Sequence, residues 1–342
     1  MNTFDGGVRV APFVMDAHLD LAYDVELRRR RGDRRVVAER YLPGFRRGGV
    51  DAVISSLFIS NTFLPEMALR KALEQISALR ADLEETDGAV CLCRSVEDLL
   101  AAQRRGAVGV LLSFEGAEPL QGRLELLRIF FELGVRGVGL VWSRRNEVGD
   151  GCHFFPETEG RPGGLTPFGV ELVAAVEDMG MFVDVSHLND AGFEDVARFA
   201  RKPFLASHSN CRALVPVARN LTDDQIRILG SRGGLTGMNA CDVFVSPNPQ
   251  AESRDLADVL VDHVDHVRKV AGIGAVGLGF DFCDQFRDLL LEGGSIETRD
   301  ALEGHGELDR FLQALRRRGY GEEEIGAVLG GNLLRFLRGA LK

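Results

Sequence analysis

The 342-residue sequence lacks the features of a membrane or secreted protein. It has no run of about 18 apolar residues, which a membrane-spanning helix requires. Its first residues show no basic region followed by an apolar region, so we expect no secretory signal peptide. These two absences favour a cytoplasmic protein that does not bind membranes.

Positively charged residues are fewer than negatively charged ones, and cysteine is scarce. The net charge is -10, with 41 Lys and Arg against 51 Asp and Glu, so broad attraction to nucleic acid or anionic membranes is not expected. The six cysteines include no C-x-x-C pair, and scattered thiols are typical of a reducing cytosol. The expected partner is therefore a small molecule.

The sequence does contain a regular alternation of short apolar runs with longer amphipathic stretches. This alternation is typical of strand and helix units around a parallel sheet. It predicts eight strands, at residues 13–21, 50–59, 107–116, 135–142, 181–187, 203–209, 233–240 and 275–282. Eight such units predict the α/β class and one closed (β/α)8 TIM barrel over residues 1–342, with loop insertions at about 22–49 and 143–165.

Several local signals refine this scheme. Thr166 and Thr222 have the features of helix N-caps, and Gly180 has those of a helix stop. The arginine-rich run at residues 28–35 predicts a solvated arm, with a contact to substrate or partner as the alternative. The helical pair of histidines at 263 and 266 is interpreted as a solvated face, and His305 as a loop residue without a partner.

Ionisable residues mark the C-terminal ends of five predicted strands. These residues are His18 and Asp20 on the first strand, Glu115 on the third, His187 on the fifth, His208 on the sixth and Asp281 on the eighth. Catalytic groups of a barrel lie on that face, so the six side chains are expected to converge. Taken singly, each has an ordinary alternative, such as a hydrogen-bonded buried histidine or a helix-capping acid.

Five of these residues have the chemistry of metal ligands. A strand has a period of two, so His18 and Asp20 project in the same direction and can bind one ion. His187 and His208 would hold a second ion, and the two oxygens of Glu115 would bridge the pair. Imidazole and carboxylate suit zinc or a similar metal, and two ions about 3.5 to 4 Å apart share a hydroxide nucleophile. The set therefore predicts hydrolysis.

Three further residues are assigned around this cluster. Asp281 is left over as a general base and acid, with a further metal ligand or a buried acceptor as alternatives. Arg219 is a candidate for binding a carboxylate with both guanidinium nitrogens, unless it is a surface arginine near a helix start. Asp16 lies on the same strand face as His18 and is expected to hydrogen-bond behind the ligands.

The sequence resembles the membrane dipeptidase (renal dipeptidase) family of amidohydrolase-like metal barrels. The resemblance extends from about residue 16 to 337, in blocks that include "DAHLD", "SFEGAEPL", "VDVSHLND", "ASHSNCRAL", "ARNLTDDQ" and "VGLGFDF". It implies a metal-dependent hydrolase with two zinc ions held by His18, Asp20, Glu115, His187 and His208. It also implies Glu115 as the bridging ligand, Asp281 as the proton-handling acid and Arg219 as the anchor for the substrate's terminal carboxylate.

The sequence departs from the family at two positions. Trp142 stands where better-known members have a histidine that contacts substrate, and an indole cannot act as an imidazole. Oxyanion stabilisation would then fall to the metal or to a nearby donor such as Asn146. Cys283 replaces the second acid of the family's "DFDG" motif. The lipid anchor of mammalian relatives is not expected in this chain.

These inferences predict a zinc-dependent dipeptidase, in which a hydroxide bridging two metal ions attacks the peptide bond of a dipeptide. Two alternatives stay open: hydrolysis of another small amide, such as an N-acyl amino acid or a cyclic amide, and a metal-binding barrel without catalysis. The sequence also leaves open the preferred dipeptides, the chirality of their second residue, the physiological metal, and whether the chain forms a homodimer.

Overall fold

Seven of the eight predicted barrel strands are present in a computed structural model, which describes residues 12–154, 162–284 and 298–342. It also describes a short antiparallel pairing of Thr3–Phe4 with Gly7–Val8. The remaining strands are β1 Met15–Leu19, β2 Ala52–Phe58, β3 Val90–Leu92, β4 Val108–Glu115, β5 Val135–Gly139, β6 Phe182–Asp184, β7 Thr236–Met238 and β8 Val276–Leu278. Seven of them lie within predicted strand segments, and β3 was not predicted.

The strands form one parallel sheet in the order β6-β5-β4-β2-β1-β8-β7, with β3 paired to the first residues of β4. The predicted sixth strand is not continuous. Instead, Leu205 forms an isolated parallel bridge with Asp184 of β6, and Ala206 forms one with Thr236 of β7. These bridges close the ring, so the fold is the predicted TIM barrel.

Side-chain acceptors explain why residues 203–209 form bridges instead of a full strand. The Ser207 amide donates to Asp184 Oδ1 over 2.9 Å, and the His208 amide donates to Ser186 Oγ over 3.1 Å. These amides are therefore used by side chains of the neighbouring segment and are not available for a regular ladder. These two hydrogen bonds fix the segment that carries His208.

Helices connect the strands. They are α1 Leu21–Arg30, α2 Leu42–Gly48, α3 Ala68–Glu84, α4 Val96–Arg104, α5 Leu124–Leu133, α6 Pro167–Met179, α7 Asp190–Phe199, α8 Asp223–Ser231, α9 Asp242–Val245, α10 Leu256–Ala271, α11 Leu308–Arg317, α12 Glu322–Gly326 and α13 Asn332–Ala340. The predicted ends of α6 are confirmed, since Thr166 caps it and Gly180 ends it at φ 74°. Thr222 caps α8 in a reciprocal pair with Gln225.

The first predicted insertion, residues 22–49, is largely helical, with α1, a π-helical turn at Val37–Tyr41 and α2. The solvated-arm prediction is wrong for Arg28, which is buried and donates to Asp24 over 2.8 Å. It is also wrong for Arg29, which contacts Asp82 on α3 over 2.7 Å. Acidic side chains of α1 and α3 neutralise these arginines, so they need not remain in water.

Two further predictions concern histidines and membranes. The solvated-face prediction is wrong for His263, which is fully buried; its Nδ1 accepts from the Cys211 amide over 3.1 Å, and its Nε2 lies 3.0 Å from the Val245 carbonyl. His266 is partly exposed and pairs with Asp223 over 2.7 Å.

Within the described ranges, every helix is too short or too polar to cross a bilayer.

Candidate metal centre

The barrel brings the six ionisable residues together at the C-terminal ends of its strands. His18 lies in β1, Asp20 directly precedes α1, and Glu115 is the last residue of β4. The other three residues follow β6, the bridged segment and β8. The three histidines and Glu115 are buried, whereas Asp20 and Asp281 are partly exposed. The cluster thus has a buried interior and an edge that reaches solvent.

Glu115 occupies the middle of the cluster. Its Oε2 lies 3.6 Å from Nε2 of His18. Its Oε1 lies 3.0 Å from Nε2 of His187 and 3.8 Å from Nε2 of His208. The two oxygens of one carboxylate therefore face different histidines.

His18 also faces the two carboxylates at the open edge. Its Nε2 lies 3.9 Å from Asp20 Oδ1 and 3.6 Å from Asp281 Oδ1. Two overlapping donor sets result, one from His18, Glu115 and His208 and the other from His18, Asp20 and Asp281, each with its atoms within 4.8 Å of one another. Asp281 is therefore placed among the candidate ligands, and its alternative as a further ligand remains open.

The donor atoms fit metal ions. Nε2 of His18 and Oε2 of Glu115 are buried, and neither has a hydrogen-bond partner in the described part of the chain. A buried polar atom without a partner costs about 1 to 3 kcal/mol, so such atoms usually bind an ion or a water molecule. A cation between imidazole nitrogens and carboxylate oxygens would satisfy both atoms, and this donor set suits zinc and similar first-row metals.

Burial sets the protonation of the ligands. Burial and, to a smaller extent, the nearby Arg219 guanidinium together lower the pKa of His18 to about 3. The pKa values of His187 and His208 also lie well below the usual range, mainly because of burial. All three imidazoles are therefore neutral at physiological pH, which is the form that binds metal.

The carboxylates shift in the opposite direction. Burial raises the pKa of Glu115 and of Asp281 well above the ordinary value, and the charge of Asp20 adds to both shifts. Burial also raises the pKa of Asp20. Three acids close together thus need more positive charge than Arg219 alone supplies, since the three imidazoles are neutral, and divalent cations would provide it.

Hydroxyl groups orient the two histidines near Glu115. Nδ1 of His187 lies 2.8 Å from Ser143 Oγ, and Nδ1 of His208 lies 2.7 Å from Ser207 Oγ. With their Nδ1 atoms engaged, both rings direct Nε2 towards Glu115, and the two Nε2 atoms are 2.8 Å apart. This outer layer fixes the ring orientation that metal binding needs.

Asp16 hydrogen-bonds behind the ligands, as predicted. Its Oδ1 accepts from the amides of His18, over 3.2 Å, and Phe280, over 3.0 Å. Its Oδ2 lies 2.7 Å from Nε2 of His305, so the prediction that His305 has no partner is wrong. No local signal identifies this pair, because the two residues are 289 positions apart.

Sequence reasoning missed two other residues that hold the acids. Ser56 Oγ donates to Asp20 Oδ1, and Asn239 Nδ2 donates to Asp281 Oδ2 over 3.0 Å. Asn239 lies at the end of the predicted seventh strand, so the strand-end pattern that identified the ligands also applies to it. Ser56 lies inside an apolar strand, and its polarity is the only signal available.

Two site residues have strained backbones. His187 has φ 67° and Asp281 has φ 56°, in the left-handed region that residues other than glycine seldom adopt. Each such conformation costs of the order of 1 to 3 kcal/mol and persists where surrounding contacts enforce it. The strain supports a functional role for both positions.

Arg219 lies beside the metal ligands, so the surface-arginine alternative is wrong. The side chain is buried, and its Nη1 and Nη2 donate to Ser209 Oγ over 3.0 Å and to the His208 carbonyl over 2.8 Å. Its buried Nε has no hydrogen-bond partner among the described residues. The guanidinium is thus fixed close to the candidate ions, and its carboxylate-binding role stays a prediction.

The two other predicted substrate contacts differ in their surroundings. Trp142 is half-buried, and its ring centroid lies 5.8 Å from that of His187. Asn146 instead holds its own loop: Nδ2 donates to the Leu140 carbonyl over 3.0 Å, and Oδ1 accepts from the Val148 amide over 2.8 Å. The substrate role of Asn146 stays a prediction.

The chain is similar to known proteins over most of its length. The family model described as "Membrane dipeptidase (Peptidase family M19)" matches residues 7–341. An uncharacterised Klebsiella pneumoniae protein encoded in the pqqA 5' region is 31% identical over 266 residues, which are 78% of this chain and 94% of that protein. Dipeptidase 3 of Rattus norvegicus is 29% identical over 314 residues, which are 87% of this chain and 57% of the rat protein.

A solved structure extends the likeness to the whole fold. A metallo peptidase from Rhodobacter sphaeroides, liganded with a phosphinate mimic of the dipeptide L-Ala-D-Ala, superimposes with a TM-score of 0.85. It is 26% identical, and the match covers 97% of this chain and 100% of the other.

Proposed function

The chain belongs to the membrane dipeptidase family of metallopeptidases, and we propose that it is a zinc-dependent dipeptidase with two metal ions. The observation that carries this proposal is the position of Glu115, whose two carboxylate oxygens face His18 on one side and His187 with His208 on the other. One ion would be held by His18 and Asp20, the other by His187 and His208, and both by Glu115. Such a pair of ions, when bound, supplies a hydroxide nucleophile at neutral pH and polarises the substrate carbonyl.

Asp281 has the position of the group that moves the proton. Its Oδ1 lies at the edge of the ligand cluster, 3.6 Å from His18 Nε2, while Asn239 holds its Oδ2 over 3.0 Å. Burial raises the pKa of this carboxyl, which suits a group that accepts a proton from water and returns it to a leaving amine. In peptide hydrolysis, that amine belongs to the C-terminal amino acid.

Arg219 would determine how many residues follow the scissile bond. Its guanidinium is held by the His208 carbonyl and Ser209, directly beside the ligands. A substrate carboxylate paired with this cation must lie close to the scissile carbonyl. Only a substrate with one residue after that bond meets this condition, and a dipeptide is the smallest peptide that does. The phosphinate dipeptide mimic bound by the Rhodobacter sphaeroides relative supports this substrate class.

The test is a screen of the zinc-loaded protein against a dipeptide library that contains L and D second residues, with N-acyl amino acids in the same plate. Metal content is measured on the same preparation by mass spectrometry. The proposal expects about two zinc ions per chain and release of free amino acids from dipeptides. Cleavage of N-acyl amino acids alone would replace the dipeptidase assignment by another amidohydrolase, and less than one ion per chain without turnover would overturn it.

We further propose a cytoplasmic location. All six cysteines are free thiols, which suits a reducing compartment. Cell fractionation tests this location, and recovery of the protein with membranes would contradict it. The homodimer stays a prediction, for which sedimentation of the purified protein is the test.

A further inference from the structure

A row of aromatic side chains borders the candidate metal centre. We call it the aromatic wall, and it consists of Phe244, Phe154, Trp142, Phe58 and Tyr23. Consecutive ring centroids along this row are 6.1, 5.2, 5.2 and 5.4 Å apart. These spacings are those of directly packed aromatic pairs, so the rings form one continuous apolar surface.

The middle of the wall reaches the metal ligands. The ring centroid of Trp142 lies 5.8 Å, and that of Phe154 lies 6.0 Å, from the centroid of His187. Both rings are only partly buried, as are Phe58 and Tyr23. Large apolar groups that stay accessible beside a polar cluster are typical of a ligand site, because a bound ligand covers them.

A fixed arginine supports the wall. The guanidinium carbon of Arg144 lies 5.0 Å from the ring centroid of Trp142 and 5.6 Å from that of Phe58. Glu118 holds Arg144 over 2.7 Å, and the Ile59 carbonyl holds it over 2.9 Å. The cation is thereby prevented from folding into the site, and the two rings are positioned before a ligand binds.

The wall has a direction relative to the substrate. The Arg219 guanidinium lies 5.5 Å from the ring of Phe244, at one end of the row. If Arg219 binds the C-terminal carboxylate and the cluster near His187 binds the scissile carbonyl, the N-terminal residue extends along the wall beyond His187. Trp142 and Phe58 are the rings on that side.

We propose that Trp142 and Phe58 bind the side chain of the N-terminal residue of a dipeptide and select large apolar side chains. This proposal rests on the proposed function, since it assigns the ends of a dipeptide to this site. Burial of a leucine-sized side chain against the rings favours it over glycine by about tenfold or more. A charged N-terminal side chain would lose its hydration against the same surface and be disfavoured.

Binding can be measured at Trp142 directly, because the chain contains a single tryptophan. Phosphinate analogues of Leu-Ala and Gly-Ala are titrated into the zinc-loaded protein while tryptophan emission is recorded. We expect the leucine analogue to bind at least about tenfold more tightly and to shift the emission to shorter wavelength, since it removes water from the indole. Equal affinity of the two analogues, or a leucine complex without an emission change, would overturn the proposal.

Variants test the same point by kinetics. The wild-type ratio of kcat/KM for Leu-Ala over Gly-Ala should fall about tenfold in Trp142→Ala and be largely retained in Trp142→Phe, which keeps an aromatic face. Phe58→Ala should lower the ratio in the same direction. The matched control is Phe199→Ala on α7, an exposed ring that also lies under an arginine, Arg198, at 5.2 Å. This control should leave the ratio unchanged.

The outcomes separate this proposal from the proposed function. Failure of the zinc-loaded protein to cleave any dipeptide contradicts the dipeptidase assignment. Cleavage of dipeptides without an apolar preference contradicts only the role of the wall. A preference that depends on the C-terminal residue and survives in Trp142→Ala contradicts the direction assigned to the wall.

Discussion

His305 Nε2 lies 2.7 Å from Asp16 Oδ2, although 289 residues separate the two positions. The other oxygen of Asp16 accepts from the amides of His18 and Phe280, over 3.2 and 3.0 Å. One carboxylate therefore connects the strand that carries His18 to the segment that carries Asp281. The ring of His305 packs against aromatic side chains, including Phe282, and the ring centroids of His305 and Phe282 are 4.9 Å apart.

The first prediction concerns this contact. His305→Leu should destabilise the metal-free protein by about 1.5 to 3 kcal/mol, because a buried carboxylate loses a hydrogen bond. It should also weaken zinc binding by about 10 to 100-fold, because Asp16 then holds His18 less firmly. Urea unfolding and competition with a zinc chelator measure the two effects. His305→Gln retains a donor and should recover much of both, and unchanged zinc affinity in His305→Leu would show that the pair is only structural.

The second prediction concerns Glu115. Glu115→Gln removes the negative charge and one of the two ligand oxygens, so the metal content should fall from about two ions per chain to one or none. Elemental mass spectrometry after gel filtration in zinc buffer measures this. Glu118→Gln is the control, because Glu118 is also buried but contacts Arg144 and no candidate ligand. Equal zinc content in both variants would exclude Glu115 as a bridging ligand.

The third prediction concerns Asp281. Asp281→Asn should lower kcat by about 10² to 10⁴-fold, because an amide cannot accept and return the proton. Metal content should be retained if the residue acts only on the proton. Loss of an ion together with activity would identify Asp281 as a ligand, the alternative that its 3.6 Å distance from His18 leaves open. A variant with near-normal turnover would contradict both roles.

The fourth prediction concerns acid stability. Burial lowers the pKa of His263 from 6.5 to about 4. Between pH 6.5 and pH 4, the imidazole of His263 is therefore protonated in the unfolded chain but neutral in the folded chain. The contribution of His263 to the free energy of unfolding is thus complete above pH 6.5 and is lost as the pH falls towards 4. Between pH 7 and pH 5 the loss amounts to about 2 kcal/mol.

The measurement is urea unfolding at both pH values for the wild type and for His263→Gln, which has no titrating ring. The free energy of unfolding should depend less on pH in the variant, by about the same 2 kcal/mol. Subtracting the pH dependence of the variant from that of the wild type cancels the contributions of His18 and the other histidines, which both proteins share. Identical pH dependence in both proteins would contradict the assignment of a neutral buried imidazole.

Local sequence features were sufficient for much of the fold and for the ligand cluster. Apolar runs predicted the positions of seven strands, and strand ends identified His18, Glu115 and His208 because a parallel barrel places all such ends at one mouth. Residues 203–209 show where this reasoning fails. Their apolar pattern is that of a strand, but Asp184 and Ser186 take up two of the backbone amides.

Burial of polar side chains was the least predictable property. Arg28 and His263 have the sequence context of solvated residues, yet Asp24 and the Val245 carbonyl supply partners that permit burial. The partner of Arg28 lies four positions away on the same helix, and that of His263 lies eighteen positions away. Whether such a residue is buried depends on what packs over it, which a helical pattern does not contain.

The sequence by itself therefore determined a parallel barrel with histidines and carboxylates at one end, because strand period and strand-end position are local properties. Only the tertiary structure decided that Glu115 directs its two oxygens to different ligands and that Asp16 is held by His305. It also decided that Trp142 joins a continuous aromatic surface beside His187. These relations depend on distances between side chains far apart in the chain, and such distances are fixed only when the sheet closes and the loops pack.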